Sequence, residues 1–227
     1  MLKRWEELPG YMRNEAVRPY YNRLRKRQGS LLLKRVFDFM AAILLLTFLL
    51  PVMAVIAAFV ASDSKGGVFF LQERVTQYGR RFKIFKFRTM ASDGEMHGPQ
   101  VTAGGDGRVT AIGKVLRRYR LDELPQLINI ILGDMSFCGT RPEVPYFVRQ
   151  YTPEMMATLL LPAGVTSMAS IRYKDEERLL EGAEDVDQVY IRDILPEKMK
   201  YNLWEVRKFG FWREIGVIVR TVAAVAL

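Results

Sequence analysis

The residues best suited to chemistry lie between positions 117 and 141. Leu121-Asp-Glu-Leu-Pro-Gln126 carries two adjacent carboxylates, with Arg117, Arg118 and Arg120 just upstream. Pro125 suits the first turn of a helix, Leu127, Ile128 and Ile131 form an apolar stripe, and Gly133 suits the position after the helix ends. Read locally, Asp122 and Glu123 are a helix cap and a first-turn acid. The same helix start, with its unpaired amides, also favours a phosphate, and the arginines add groups that hold one. Downstream, Gly139-Thr-Arg-Pro142 presents Arg141 from a stiff turn. By itself that is a structural turn; paired with the carboxylates it suggests a bidentate phosphate clamp.

Other chemistries are poorly served. One cysteine, Cys138, and one histidine, His97, exclude an internal disulfide and a zinc site built from several such ligands. His97 reads as a residue of the Gly-rich loop spanning 91–109. That loop lacks the Gly-Lys-Ser/Thr ending of a phosphate-binding P-loop, and no dinucleotide fingerprint is present. The 227 residues suit one globular unit with appendages, and 49% apolar residues can build a core.

The elements around the carboxylates must hold them at a defined place. Val68–Val75 and Arg81–Arg88 read as a β-hairpin turning through Gln77-Tyr-Gly79, with Lys86 and Arg88 on one strand face and Phe85 and Phe87 on the other. The two cations fit a solvated edge or an anion site equally. A helix is expected from about Ile112 to Tyr119. The stretch 164–208 is a candidate wall for a substrate pocket, with its acidic run Asp175-Glu-Glu177 read as solvated surface.

Phe39 to Ala61 contains no charged residue, and its 23 residues would make a helix about 35 Å long, enough to span a bilayer core. It starts too late for a removable signal peptide and lacks a cleavage site. Pro51 interrupts it, and both flanks are basic: Lys34 and Arg35 before, Lys65, Arg74, Arg80, Arg81, Lys83, Lys86 and Arg88 after. Positive flanks stay cytoplasmic, which suits a helix that enters, breaks at Pro51 and returns. Thr47 is the expected partner for the carbonyls that the proline frees. A proline-kinked span satisfies the sequence about as well.

The net charge is +9, and residues 1–35 hold ten Lys and Arg against three Glu. This arm, read as a surface-lying helix, favours anionic lipid headgroups. Nucleic acid is the competing partner, but no nucleic-acid fold motif accompanies the arm. Residues 209–227 mix Phe209, Phe211 and Trp212 with Ile and Val, and read as an interfacial helix or as a core helix.

The chain resembles the bacterial monotopic phosphoglycosyl transferases. The motifs that carry the resemblance run in order. They are Lys34-Arg-Val-Phe-Asp38 before the apolar run with Pro51, Phe85-Lys-Phe-Arg-Thr-Met90, Arg108-Val-Thr with Gly113 and Leu116-Arg117, Leu121–Gln126, Gly133-Asp-Met-Ser136 and Gly139–Pro142. They cover about residues 34–170. Thr140 departs from the pattern, which often has Pro there, and the family's longer members carry a multi-span N-terminal region without a counterpart in this sequence.

The resemblance implies an α+β, membrane-associated monotopic enzyme with a Pro-broken re-entrant membrane helix, a small β-hairpin and interfacial helices. The implied divisions are an arm at 1–33, a membrane hairpin at 34–62, a catalytic domain at 63–208 and an interfacial helix at 209–227. It implies transfer of a sugar 1-phosphate from a UDP-sugar to polyprenyl phosphate with release of UMP, through a phosphosugar-aspartyl intermediate on Asp122. Glu123 completes the catalytic dyad, as base or metal positioner. Arg117 and Arg141 are the implied phosphate-binding residues, with Lys86 and Arg88 in less defined roles. Mg²⁺ is the implied cofactor, with Asp122 a ligand. The expected location is the cytoplasmic face of a bacterial inner membrane, initiating glycoconjugate assembly, with no nucleic-acid partner; a homo-oligomer is compatible with the sequence. The rival readings are a non-catalytic membrane scaffold and a basic membrane-anchored binding protein.

Overall fold

The computed structural model describes residues 2–91, 107–174, 176–183 and 185–226. His97, most of the Gly-rich loop and Asp175 lie outside the described residues. In chain order the helices and strands are α1 (Arg18–Arg25), α2 (Gln28–Asp63), β1 (Phe69–Val75), β2 (Arg81–Phe87), α3 (Ala111–Arg118), α4 (Gln126–Leu132), β3 (Met135–Cys138), α5 (Pro145–Val148), β4 (Ala163–Thr166), α6 (Met168–Arg172), α7 (Glu176–Leu179), α8 (Val186–Val189), α9 (Leu195–Arg207) and α10 (Phe211–Ala226). Helix and sheet are mixed, with β1–β2 antiparallel and β3–β4 a short parallel pair.

The hairpin forms where its alternation places it, pairing Phe69 with Phe87 at one end and Val75 with Arg81 at the other. The turn runs through Tyr78 and Gly79, both at positive φ. Beyond Ile84 the two faces of β2 no longer differ: Phe82, Ile84 and Phe87 are all buried and Lys86 is half-buried. The reason is that packing comes from two sides. Phe82 and Ile84 meet Leu127, Ile130 and Met135, while Phe87 meets α2 and Leu116.

Helix α2 is long and apolar enough to cross a membrane. Its inward residues lie on both sides of Pro51: Ala42 packs with Phe82, Ile84 and Ile130, and Met53, Ile56 and Val60 pack with Phe87 and Leu116. Polar ties secure both ends. Lys34 Nζ donates to the Cys138 carbonyl (2.8 Å), and Asp38 accepts from Ser136 Oγ (2.7 Å) and the Phe137 amide (3.3 Å). Arg35 donates to the carbonyls of Ile130 and Ile131, satisfying the last turn of α4. At the other end Arg88 donates to the Val60 and Ser64 carbonyls, and Asp63 accepts from the Ile112 amide at the start of α3. The opposite side of α2 exposes Leu44, Phe48, Leu50, Val55 and Phe59, with Phe48 80% exposed.

Thr47 does not serve the carbonyls freed by Pro51. Its hydroxyl donates instead to the Ile43 carbonyl one turn upstream, at 2.9 Å.

The N-terminal arm does more than lie on the surface. Leu8, Met12, Val17 and Leu24 are fully buried in a cluster with Val75, Phe147, Leu160, Tyr190 and Leu195. Its basic residues Arg23, Arg25 and Lys26 stay exposed, as the amphipathic spacing of α1 requires. Arg27 then clamps the carbonyl of Phe209 at 2.6 Å. Helix α10 buries Val217 and turns Glu214 onto Lys34 at 2.5 Å, while Trp212, Val219 and Val222 face outward.

Candidate active site

The two carboxylates do not cap α4. They occupy a 3-10 turn, Leu121–Glu123, directly before Leu124-Pro125, and neither side chain makes a capping bond among the described residues. The chain reaches this turn through Arg120, which sits in the left-handed region (φ 56°, ψ 21°) and reverses direction after α3. Asp122 and Glu123 are both buried.

Three cations converge on Glu123. Arg141 grips both of its oxygens, with Nη2 on Oε1 and Nη1 3.3 Å from Oε2. Lys86 Nζ lies 3.4 Å from Oε1 and Arg120 Nη1 3.9 Å from it. Burial alone would raise the Glu123 carboxyl, but Arg141 and Lys86 hold it far below the usual carboxylate range. Glu123's charge in turn raises the Arg141 guanidinium. Asp122 differs. Among the described residues its carboxylate makes no hydrogen bond or ion pair, and burial raises it above the usual value, with Lys86 opposing and Glu123's charge adding. The outcome is a carboxylate kept close to positive charge but committed to no partner.

Packing explains how each side chain is held. Asn129, fully buried on α4, accepts from the Phe85 amide (3.0 Å) and donates to the Lys83 carbonyl (2.9 Å), fixing β2 and thereby Lys86. Arg117 Nε donates to Thr89 Oγ1 at 3.0 Å. That contact depends on a close approach of α3 to the chain after β2: a Cβ at Gly113 would lie 2.1 Å from the Thr89 carbonyl oxygen. Arg141 leaves the end of β3, where Gly139 and Gly164 lie against each other so closely that a Cβ on Gly164 would fall 2.2 Å from the Gly139 nitrogen.

The structure therefore brings together Asp122, Glu123, Arg141 and Lys86, with Arg117 one helix turn upstream on α3. Arg88 is separated from them. It is buried against the last turn of α2, and its Nε and Nη1 have no hydrogen-bond partner among the described residues. The alternation that places Lys86 and Arg88 on one strand face fails because the strand ends at Phe87. Sequence singled out Arg120 only as one of three arginines able to hold phosphate, not as a partner of Glu123, and it did not single out Asn129. Arg120 stands in the basic run, but nothing local marks its left-handed backbone. Asn129 was visible as a polar residue inside an apolar helix stripe.

The bacterial sugar transferase family model matches residues 29–227, and the chain belongs to that family. It is 34% identical to a UDP-N-acetylgalactosamine-undecaprenyl-phosphate N-acetylgalactosaminephosphotransferase of Aeromonas hydrophila, over 85% of this chain and 43% of the relative. It is 33% identical to an undecaprenyl-phosphate glucose phosphotransferase of Komagataeibacter xylinus, over 86% of this chain and 36% of the relative. A third relative, a putative undecaprenyl-phosphate N-acetylgalactosaminyl 1-phosphate transferase of Bacillus subtilis, is 42% identical over 57% of this chain and 73% of its own length. The chain thus spans less than half the length of the first two relatives.

Proposed function

We propose that the protein is a phosphoglycosyl transferase that moves a sugar 1-phosphate from a UDP-sugar to undecaprenyl phosphate and releases UMP. The observation that carries this reading is the division of labour in the dyad. Glu123 is saturated with positive charge, while Asp122 beside it is buried and uncommitted. A desolvated carboxylate without a partner is a competent nucleophile toward phosphorus when cations stand near enough to receive the diphosphate.

In the first displacement an Asp122 oxygen bonds to the β-phosphorus of the UDP-sugar, and the bridging oxygen departs with its electron pair on UMP. In the second, an oxygen of undecaprenyl phosphate bonds to the same phosphorus and the Asp122 carboxylate leaves. Arg141 and Lys86, already at the dyad, would meet the phosphoryl oxygens, with Arg117 at the outer side. Mg²⁺ fits this donor set. Asp122 offers a free hard oxygen, and no group of three or more His, Cys, Asp or Glu is gathered among the described residues, so the remaining ligands would come from substrate phosphates and water. When bound, the ion offsets the diphosphate's charge. The relatives' names differ in their sugar, so the chemistry held in common is the phosphates.

We also propose that α2 is re-entrant and that the site lies at the headgroup plane of the inner leaflet, on the cytoplasmic face. The reading is supported by the ties that hold both ends of α2 to the globular body, although α2 runs as one helix through Pro51. The outward Phe48 of α2 and Trp212 of α10 provide the lipid-facing surface. Cysteines placed at the exposed Gly29 and Lys65 in a Cys138→Ser background would both react with an impermeant reagent from the cytoplasmic side alone; labelling from opposite sides would refute re-entry.

The decisive experiment is intact mass after incubation with Mg²⁺ and a panel of UDP-sugars, without the lipid acceptor. A phosphosugar adduct lost in Asp122→Asn supports the two-step reading and names the donor. No adduct, but UMP release on adding undecaprenyl phosphate, replaces it with direct transfer. Silence throughout returns the protein to a scaffold.

A further inference from the structure

Behind the arginine turn lies a set of buried charges that the displacements above do not use. Glu143 follows Arg141 by two residues and is 6% exposed. Its carboxylate Oε1 accepts from the Tyr190 hydroxyl at 2.6 Å and faces Lys198 Nζ at 3.7 Å, while Oε2 faces Arg74 at 4.0 Å. Lys198 Nζ, itself buried, donates to the Tyr190 hydroxyl and to Glu176, both at 2.8 Å. Two cations and two carboxylates balance, and every link is within reach of the next.

The backbone of the turn is held from the same side. Arg74 donates to the Pro142 carbonyl at 3.2 Å, and the Val75 amide donates to the Glu143 carbonyl at 2.9 Å. Tyr190 opens a π-helical segment, Tyr190–Ile194, between α8 and α9. Such widened turns re-aim side chains and recur at functional sites. Here Tyr190 and Lys198, eight residues apart across that segment, converge on one carboxylate. The other end of the chain of contacts is Glu176, at the start of α7, whose charge also acts on Arg141.

A buried network of this kind is a poor source of stability, since desolvating four charges offsets much of their attraction. Its geometric effect is specific: it fixes the segment that carries Arg141. We propose that Glu143, Tyr190 and Lys198 are positioning residues that set the reach of Arg141 toward the transferred phosphate and link that reach to Glu176 at the start of α7. This rests on the phosphoglycosyl transfer reading. The network does not touch substrate; it acts through Arg141, which must exchange part of its grip on Glu123 for phosphoryl oxygens.

The test is a double-mutant cycle on the full chain in lipid nanodiscs with Mg²⁺, UDP-sugar and undecaprenyl phosphate. Tyr190→Phe keeps the ring and removes the relayed hydroxyl. It is expected to lower kcat about tenfold with KM for the UDP-sugar changed less than about twofold, because a misdirected cation costs most as charge develops. Combined with Arg141→Lys, Tyr190→Phe should add almost nothing, since both act through one guanidinium. Lys198→Met and Glu143→Gln should follow the same pattern, and Tyr190→Phe alone carries the test if those two fail to fold. Losses that multiply in the double variant, or an unchanged kcat in Tyr190→Phe, overturn the proposal and leave the transferase reading intact. A wild-type protein with no transfer activity removes both.

Discussion

Arg141 reaches Glu123 with two nitrogens, Nη2 on Oε1 and Nη1 3.3 Å from Oε2, and leaves the adjacent Asp122 without an ion-pair partner among the described residues. Two carboxylates joined by one peptide bond thereby acquire opposite characters. Glu123 is held ionised by its cations, whereas Asp122 is raised by burial and by its neighbour's charge.

This asymmetry predicts different consequences for two similar substitutions. Asp122→Asn removes no described ion pair, so the protein should melt within a few degrees of wild type while the phosphosugar adduct disappears. Glu123→Gln strands Arg141 and should cost about 3 kcal/mol of stability, the scale for breaking a buried pair. Thermal melting alongside intact mass separates the two.

Arg120 tests whether the left-handed turn before the dyad matters on its own. An L-residue there carries about 1 kcal/mol of backbone strain that glycine avoids. Arg120→Gly should therefore be more stable than Arg120→Ala by roughly that amount, although both lose the same contacts to Glu123 and the Lys174 carbonyl. Equal melting temperatures for the two variants would contradict this account.

The arm combines two properties that mutation can separate. Replacing Arg23, Arg25 and Lys26 with Gln should weaken binding to anionic vesicles, more so at low salt, and leave the melting temperature unchanged because all three are exposed. Met12→Ala and Leu24→Ala should do the reverse, each costing about 2–5 kcal/mol as fully buried side chains. Vesicle flotation and melting read the two effects independently.

Glu205, on α9, gives stability a pH dependence away from the dyad. Burial pushes its carboxyl up to about 7, with Glu214 adding to the effect and the Met168 amide and Lys34 opposing it. A carboxyl raised in the folded state holds its proton where the unfolded chain has released one. Its contribution is then fullest below the unfolded value, about pH 4, and is lost as pH rises through about 7. The loss amounts to roughly 3 kcal/mol. Glu205→Gln should therefore gain on wild type between pH 5 and pH 8 in melting experiments, and parallel curves would refute the assignment.

Much of this architecture could be read from residue patterns, and the exceptions share a cause. The hairpin, α3 and α4 follow from alternation, helical spacing and Gly133, because those signals are local. The order of the motifs around Asp122 and Arg141 pointed to the site that the structure assembles. Arg88 could not be placed from its strand face, because its position depends on the end of α2, 24 residues upstream of its register. The burial of the arm was equally hidden: Leu8, Met12 and Val17 are spaced irregularly, and their partners lie beyond residue 140 or in the hairpin. Glu143 and Lys198 carried no local signal, because what joins them is contact across 55 residues of chain.

Because α2 supplies inward residues to two clusters, with Ala42 on one side of Pro51 and Met53, Ile56 and Val60 on the other, it cannot be treated as a detachable anchor. Excising it would lay bare Phe82, Ile84, Phe87, Leu116 and Leu127 together. A well-packed fragment is therefore not obtainable by trimming the chain at the end of α2. Under the membrane placement proposed above, the same dependence would couple two events usually considered apart in a newly made chain: the residues that complete these clusters arrive on the helix that enters lipid, so insertion would itself be a step of folding.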